Sequence, residues 1–158
     1  MQLKVKKLRP DVVMPTKAHD TDAGIDFHWN PTPTHYSIDN PEIKKFGDKS
    51  WIVLETGVSV EIPKGYCLVL MGRSGLAYHS GFSVMAGVID EGFTGEIKAI
   101  LDVPCGINNT GYQLSKTLYA GDKVVQGLLL PVPKVEIVEV TELSPSERGE
   151  KGYGSSDK

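Results

Sequence analysis

At 158 residues the chain is one ordinary domain's worth, long enough to bury a core without cross-links. A hydrophobic share of 40% and a charged share of 23% predict a globular chain and exclude a wholly disordered one. The net charge of −3, without blocks of one sign, excludes an electrostatic grip on nucleic acid.

The two cysteines, Cys67 and Cys105, have no CxxC spacing, so neither a zinc site nor a disulfide framework is indicated and a reducing cytoplasm is expected. No run approaches the roughly 20 apolar residues of a membrane span. MQLKVKKLRPD begins with charge but has no apolar leader after it, so a soluble, unexported protein is expected.

Along the chain the pattern is short and β-like. QLKVKKL alternates and predicts a first strand. AHDTDAGIDF (18–27) sets Asp20, Asp22 and Asp26 around Ala23-Gly24, with Asp26 starting or ending an extended segment. Taken alone this reads first as a tight turn with aspartate caps. Residues 30–50, with NPTPTH near the start and IKKFGDKS at the end, read as a long surface excursion. WIVLETGVSVEIP, with β-branched residues around Gly57, and the compact apolar run YCLVLM predict the next strands.

The chemistry-bearing residues lie in the turns that follow. MGRSGLAYHSG (71–81) puts Arg73 and Ser74 next to Gly75, with room for one helical turn in SGLAYHSGF. An arginine beside a hydroxyl and exposed amides suits a phosphate oxygen, and it suits a loop carboxylate equally well. GVIDEGFTGEI (87–97) places Asp90 directly after Val88-Ile89, where an apolar strand turns over. A hairpin aspartate is ordinarily a turn former, but Gly87 and Gly95 permit close backbone approach and Phe93 offers a flat apolar face. GEIKAILDVP predicts another strand.

AGDKVVQGLLLP (120–131) enters a buried strand through a Gly-Asp turn and carries Gln126 among valines and leucines. A buried glutamine needs a partner, whether a core group or a ligand. KVEIVEV predicts a last strand, and the tail RGEKGYGSSDK (148–158) has no apolar periodicity by which to pack. Together these features predict a single all-β domain, a sandwich or barrel of short strands, with no repeat or dividing linker.

In order, DAGIDF, GRSGLA, AGVIDEGFTGEI, GDKVVQ and RGEKGYGSS resemble the five motifs of the trimeric dUTP diphosphatase (dUTPase) family, and they span nearly the whole chain. The resemblance implies an all-β jelly-roll/β-clip barrel over residues 1–147, with 30–50 as a surface insertion. It also implies a mobile C-terminal arm, 148–158, that closes over an active site shared between subunits of a homotrimer. The implied reaction is hydrolysis of dUTP to dUMP and pyrophosphate, which limits uracil incorporation into DNA and supplies dUMP for thymidylate synthesis. Mg2+ is the implied cofactor, arriving on the nucleotide. The expected location is the cytoplasm, or the host cytoplasm for a viral source, with no direct nucleic-acid or membrane binding.

The roles carry over by motif position. Asp90 is implied to orient and deprotonate the attacking water and to touch the sugar 3'-hydroxyl. Arg73, Ser74, Gly75 and Gln126 are implied to meet the phosphate chain, and Asp26 to hold the hydrated metal through water. Val84, Met85, Ala86 and Gly87 would present main-chain groups to the uracil edge, while Phe93 packs under the deoxyribose. In the arm, Tyr153 would stack on uracil, with Arg148, Gly154, Ser155 and Ser156 around the gamma phosphate.

The chain departs from the family pattern at Gly72, where proline commonly precedes Arg-Ser, and at Gly92-Phe93, which replace an acidic-tyrosine pair. Lys151 and Asp157 each occupy a glycine position in the last motif. IDEGFTGEI also resembles the related dCTP deaminases, but their catalytic glutamate falls where this chain has Ile100. Without a carboxylate there, no deaminase activity is expected. A non-catalytic dUTP-binding regulatory protein, with 30–50 as a partner surface, is the reading from a different class.

Overall fold

The computed structural model describes residues 1–32, 43–46, 49–103, 118–146 and 149–150. Short apolar-alternating runs form strands, as their β-branched content dictates. These are β1 (Lys4–Lys7), β2 (Ile25–His28), β3 (Ile43–Phe46), β4 (Lys49–Glu61) and β5 (Tyr66–Met71), then, after helix α1 (Ser74–Ser80), β6 (Ser83–Ala86), β7 (Val88–Ile89), β8 (Glu96–Val103) and β9 (Lys123–Pro131). One sheet has the order β1-β4-β8-β6 with β3 also on β4, and the other the order β2-β9-β5-β7.

The two sheets share one core. Ile52, Leu54, Ile97, Ala99 and Leu101 from the first meet Phe27, Leu68, Leu70, Val124 and Val125 from the second. In β8 the buried residues Ile97, Ala99 and Leu101 alternate with exposed Lys98 and half-buried Ile100, so one face of the strand is dry. Each large aliphatic side chain removed from water stabilises the fold by roughly 1.5–3 kcal/mol. Gly127 lets β9 approach closely, because a Cβ there would stand 2.8 Å from both Leu68 and Phe27.

Three features differ from the sequence reading or refine it. The single helical turn is a seven-residue helix, held by the buried Leu76 and closed by Gly81 at φ 68°, whose N–H donates to the Ala77 carbonyl. Within 30–50, β3 pairs with the first half of β4 in the register Ile43↔Ile52 to Phe46↔Lys49, so part of that segment extends a sheet. KVEIVEV forms no strand. Residues 132–140 are exposed, Ile137 at 96%, because a strand needs a partner and none of the described strands of this chain pairs with it.

Cys67 is a free thiol, and Cys105 lies outside the described residues. Among the described residues no helix is long and apolar enough to cross a membrane.

Candidate active site

Strand register assembles the first half of the site. β2 pairs with β9 so that Asp26 faces Gln126, and β9 pairs with β5 so that Gln126 also faces Met71. Arg73 follows two residues after Met71, and it is thereby brought to Asp26 across 47 residues of chain.

Its Nε donates to Oδ1 of Asp26 at 2.9 Å, and its Nη1 donates to the Lys123 carbonyl at 3.2 Å. Lys123, the first residue of β9, donates from Nζ to Oδ2 of Asp26 at 2.7 Å. Gln126 Nε2 donates to the Gly72 carbonyl at 2.8 Å, fixing the residue before Arg73. Gly24 is required here, because a Cβ on it would run into the Gln126 side-chain oxygen.

The electrostatics follow from this geometry. Burial opposes ionisation of Asp26, but the hydrogen bond from Lys123 and the charges of Arg73 and Lys123 outweigh it, and the carboxyl is held below its usual range. His28, in the same strand, is buried with its Nδ1 unpartnered. Its pKa is pushed down by burial and then by Lys123, so it is neutral at physiological pH and adds no charge. One carboxylate therefore faces two cations, leaving a surplus positive charge. Ser74 and Gly75 open α1 beside this cluster and are exposed.

The second half of the site lies at the opposite end of β5. β7 runs antiparallel to β5 with Val88 on Val69 and Ile89 on Leu68, so Asp90 follows toward the start of β5, away from Arg73. A second contact fixes the same end, since Gly65, just before β5, donates its N–H to Glu91 Oε2 at 2.7 Å. Arg73 and Asp90 are thus separated by the length of β5, roughly 20 Å at strand spacing.

Asp90 is exposed, and its side chain has no hydrogen-bond partner among the described residues. Its carbonyl accepts the Phe93 N–H at 3.0 Å, which closes the turn. Phe93 lies over Gly95, where a Cβ would come within 2.6 Å of the ring.

Residues 84–87 join the two sheets. Val84 and Ala86 pair with Leu101 and Ile100, and the register shift between them leaves Met85 bulged from the ladder. The Gly87 carbonyl accepts from Leu70 N–H at 2.7 Å, an approach that a Cβ would block. Met85 and Ala86 are exposed.

The structure therefore brings Asp26, Arg73 and Gln126 together and keeps Asp90 and Phe93 apart from them. Arg148, Tyr153, Gly154, Ser155 and Ser156 lie outside the described residues. Sequence reasoning did not single out Lys123 or Glu91. The available signal was the lysine directly after the Gly121-Asp122 turn, but its partner becomes visible only with the β2–β9 register.

Among the described residues no group of three or more His, Cys, Asp or Glu is placed to hold a metal directly. Both Asp26 oxygens already accept from cations, yet each keeps a lone pair for a metal-bound water. This donor set fits a hydrated Mg2+ carried in by a phosphate chain and does not fit a resident ion stripped of its water.

The dUTPase family model matches residues 11–157. A deoxyuridine 5'-triphosphate nucleotidohydrolase of Clostridium tetani (strain Massachusetts / E88) is 39% identical over 158 residues, covering 99% of this chain and 97% of its own. Among solved structures, the Staphylococcus bacteriophage 80alpha dUTPase with dUPNHPP superposes with a TM-score of 0.74 at 28% identity, covering 98% of each chain. A mutant dUTPase from phage phi11 of S. aureus, which coordinates a structural Mg(II) ion, superposes with a TM-score of 0.69 at 25% identity, covering 92% of this chain and 100% of its own.

Proposed function

The chain belongs to the dUTPase family, and from that premise we propose how its own residues perform the hydrolysis of dUTP to dUMP and pyrophosphate. Water adds to the alpha phosphorus, the bond from that phosphorus to the bridging oxygen of the beta phosphate breaks, and pyrophosphate leaves. A carboxylate is needed to orient the water and take its proton, and cationic donors are needed along the phosphates. The observation that carries this reading is the charge separation along β5. A net-positive cluster of Asp26, Arg73 and Lys123 lies at one end, and the exposed Asp90, free of side-chain partners among the described residues, lies at the other.

In this reading Asp90 is the base, and Phe93 sits under the deoxyribose, where a 2'-hydroxyl would clash. Arg73, Ser74, Gly75 and Gln126 take the phosphate chain. The bulged backbone at Val84–Gly87 reads the uracil edge, whose O4 accepts a hydrogen bond where cytosine would donate one. Asp26 would hold hydrated Mg2+ through water. When bound, the metal neutralises phosphate charge and fixes the conformation of the chain of phosphates. The arm at 148–158, with Arg148, Tyr153, Gly154, Ser155 and Ser156, is assigned the role of a lid on ligand. We assign the reaction to the cytoplasm, or to the host cytoplasm for a viral source.

An Arg73 cluster roughly 20 Å from Asp90 cannot serve the same phosphate chain within one subunit. A site combining the Arg73 end of one subunit with the Asp90 turn of another resolves this, and a homotrimer with shared sites is the assembly we propose. The exposed, alternating segment 132–140 supports it, since Val135, Ile137, Val138 and Val140 are 57–96% exposed in the single chain.

Incubation with dUTP and with dCTP, with and without Mg2+, while following pyrophosphate and ammonia, tests the reading. Pyrophosphate from dUTP alone is expected. Ammonia from dCTP would point to deaminase chemistry, for which β8 offers only the half-buried Ile100. Binding without turnover would leave a purely regulatory role.

A further inference from the structure

We propose that Lys123 is a positioning residue for triphosphate recognition, converting the Asp26–Arg73 pair from a neutral ion pair into a cationic cradle. The inference rests on the reading of Arg73 as a phosphate contact. Alone, Arg73 and Asp26 would cancel, and a neutral pair draws a polyanion weakly. Lys123 changes this in two ways.

Its Nζ occupies Oδ2 of Asp26 at 2.7 Å while Arg73 Nε occupies Oδ1 at 2.9 Å, so the carboxylate is held between two cations and one positive charge is left over. Its carbonyl also accepts from Arg73 Nη1 at 3.2 Å. The Nε and Nη1 positions of the guanidinium are thereby tied to protein. Nη2 has no protein partner among the described residues and is left for an anion.

The lysine is one-third exposed and Asp26 only 13%, so the surplus charge sits where water screens it less than at a free surface. The position is also built by register, because Lys123 pairs with His28, the residue two beyond Asp26.

The test uses the intact protein and compares binding of dUMP with that of a nonhydrolysable dUTP analogue by calorimetry, alongside kcat, KM and thermal melting. Lys123→Met is expected to weaken analogue binding by about tenfold to a hundredfold, the worth of a charge-assisted contact, while dUMP binding changes little. KM for dUTP should rise more than kcat falls, and the salt dependence of analogue binding should flatten. Lys123→Arg should restore most of the affinity.

A purely structural role would lower the melting temperature and weaken both ligands together. If Lys123→Met folds and its analogue-to-dUMP affinity ratio stays within about twofold of wild type, a difference too small for a charged contact, the inference is wrong. Should Lys123→Met fail to fold, the same ratio measured in Lys123→Gln decides. Wild-type turnover of dUTP with an unchanged ratio sinks only this proposal, whereas absent wild-type turnover sinks the reading beneath it.

Discussion

The carboxylate of Glu91 accepts the backbone N–H of Gly65 at 2.7 Å, and the carbonyl of the same Gly65 accepts the N–H of Val132 at 2.8 Å. One residue beyond the proposed base, the Asp90 turn is therefore latched to the glycine that also receives the start of the segment leading toward the C-terminal arm. Gly65 sits at φ 78°, a conformation that a side chain would strain, so the latch depends on a glycine there.

Glu91→Ala should free this turn and misplace Asp90. The lost bond is worth about 1 kcal/mol, so kcat should fall roughly five- to tenfold with KM little changed. Glu91→Gln keeps an oxygen acceptor for the same N–H and should retain most of the activity. Steady-state pyrophosphate release on the two variants checks this, and equal losses in both would show that the negative charge matters instead of the latch.

Asp90→Asn removes the proposed base without changing the volume of the turn. Turnover of dUTP should drop by about 10²–10⁴-fold, the usual contribution of a positioned general base. Binding of a nonhydrolysable analogue should persist. Calorimetry beside a pyrophosphate assay separates the two effects, and retained turnover would remove Asp90 from the mechanism.

Phe93 stays over Gly95 because no Cβ stands in the way. Gly95→Ala should push the ring off this seat and enlarge the space where we propose the sugar sits. Discrimination of dUTP against UTP, taken as the ratio of kcat/KM values, should then fall by about tenfold, in keeping with a packing contact of methyl size. An unchanged ratio would mean that the ring does not set sugar selection.

How far the sequence revealed this molecule depends on what each inference needed. β5 was legible as YCLVLM because a compact apolar run with a buried alternation is a local property. Asp26, Arg73 and Gln126 were legible as candidates because charged or amide groups interrupt apolar runs or follow directly on them. That Lys123 clasps Asp26 was not legible, since the pair lies 97 residues apart and depends on the β2–β9 register. The separation of Asp90 from Arg73 was equally hidden, because only the antiparallel β5–β7 pairing fixes which end of the strand each occupies. KVEIVEV misled for the converse reason. Its alternation states a propensity for pairing, and propensity does not name the partner.

A second charged cluster predicts how stability responds to pH. Buried Glu55 accepts from Thr32 Oγ1 at 2.5 Å and from Lys98 Nζ at 3.3 Å, tying the root of the 30–50 segment to the β4–β8 pair. Burial works against its ionisation, but Thr32 and Lys98 prevail and hold its pKa below the ordinary 4.5. Lys98 is opposed by burial yet raised above its ordinary 10.5 by Glu55 and Glu96.

The lowered carboxyl contributes stability above its unfolded value, and this is lost as pH falls through the folded one. The raised ammonium contributes below its unfolded value, and this is lost as pH rises through the folded one. Melting temperature should therefore be flat between these limits with respect to this cluster, and decline on either side. Glu55→Gln should cost about 1–3 kcal/mol near neutrality and flatten the acid limb. An unchanged acid limb in that variant would assign acid unfolding to other carboxylates.

The proposed chemistry depends on assembly. Ile137 is 96% exposed and Val135 76%, on a segment whose alternation is that of a strand without a sheet. If this segment packs against another subunit, Ile137→Asp places a charge where apolar area is buried on association, a cost of several kcal/mol by desolvation. The variant should sediment as a smaller species, with its domain still folded, because the residue touches nothing in the core cluster. Activity should fall with assembly and return at high protein concentration, since the proposed site combines the Arg73 end and the Asp90 turn of different subunits. Sedimentation velocity and specific activity over the same dilution series measure both quantities. A monomeric Ile137→Asp with full activity at all concentrations would show that a single chain completes its own site, and that the ~20 Å separation along β5 closes in some other way.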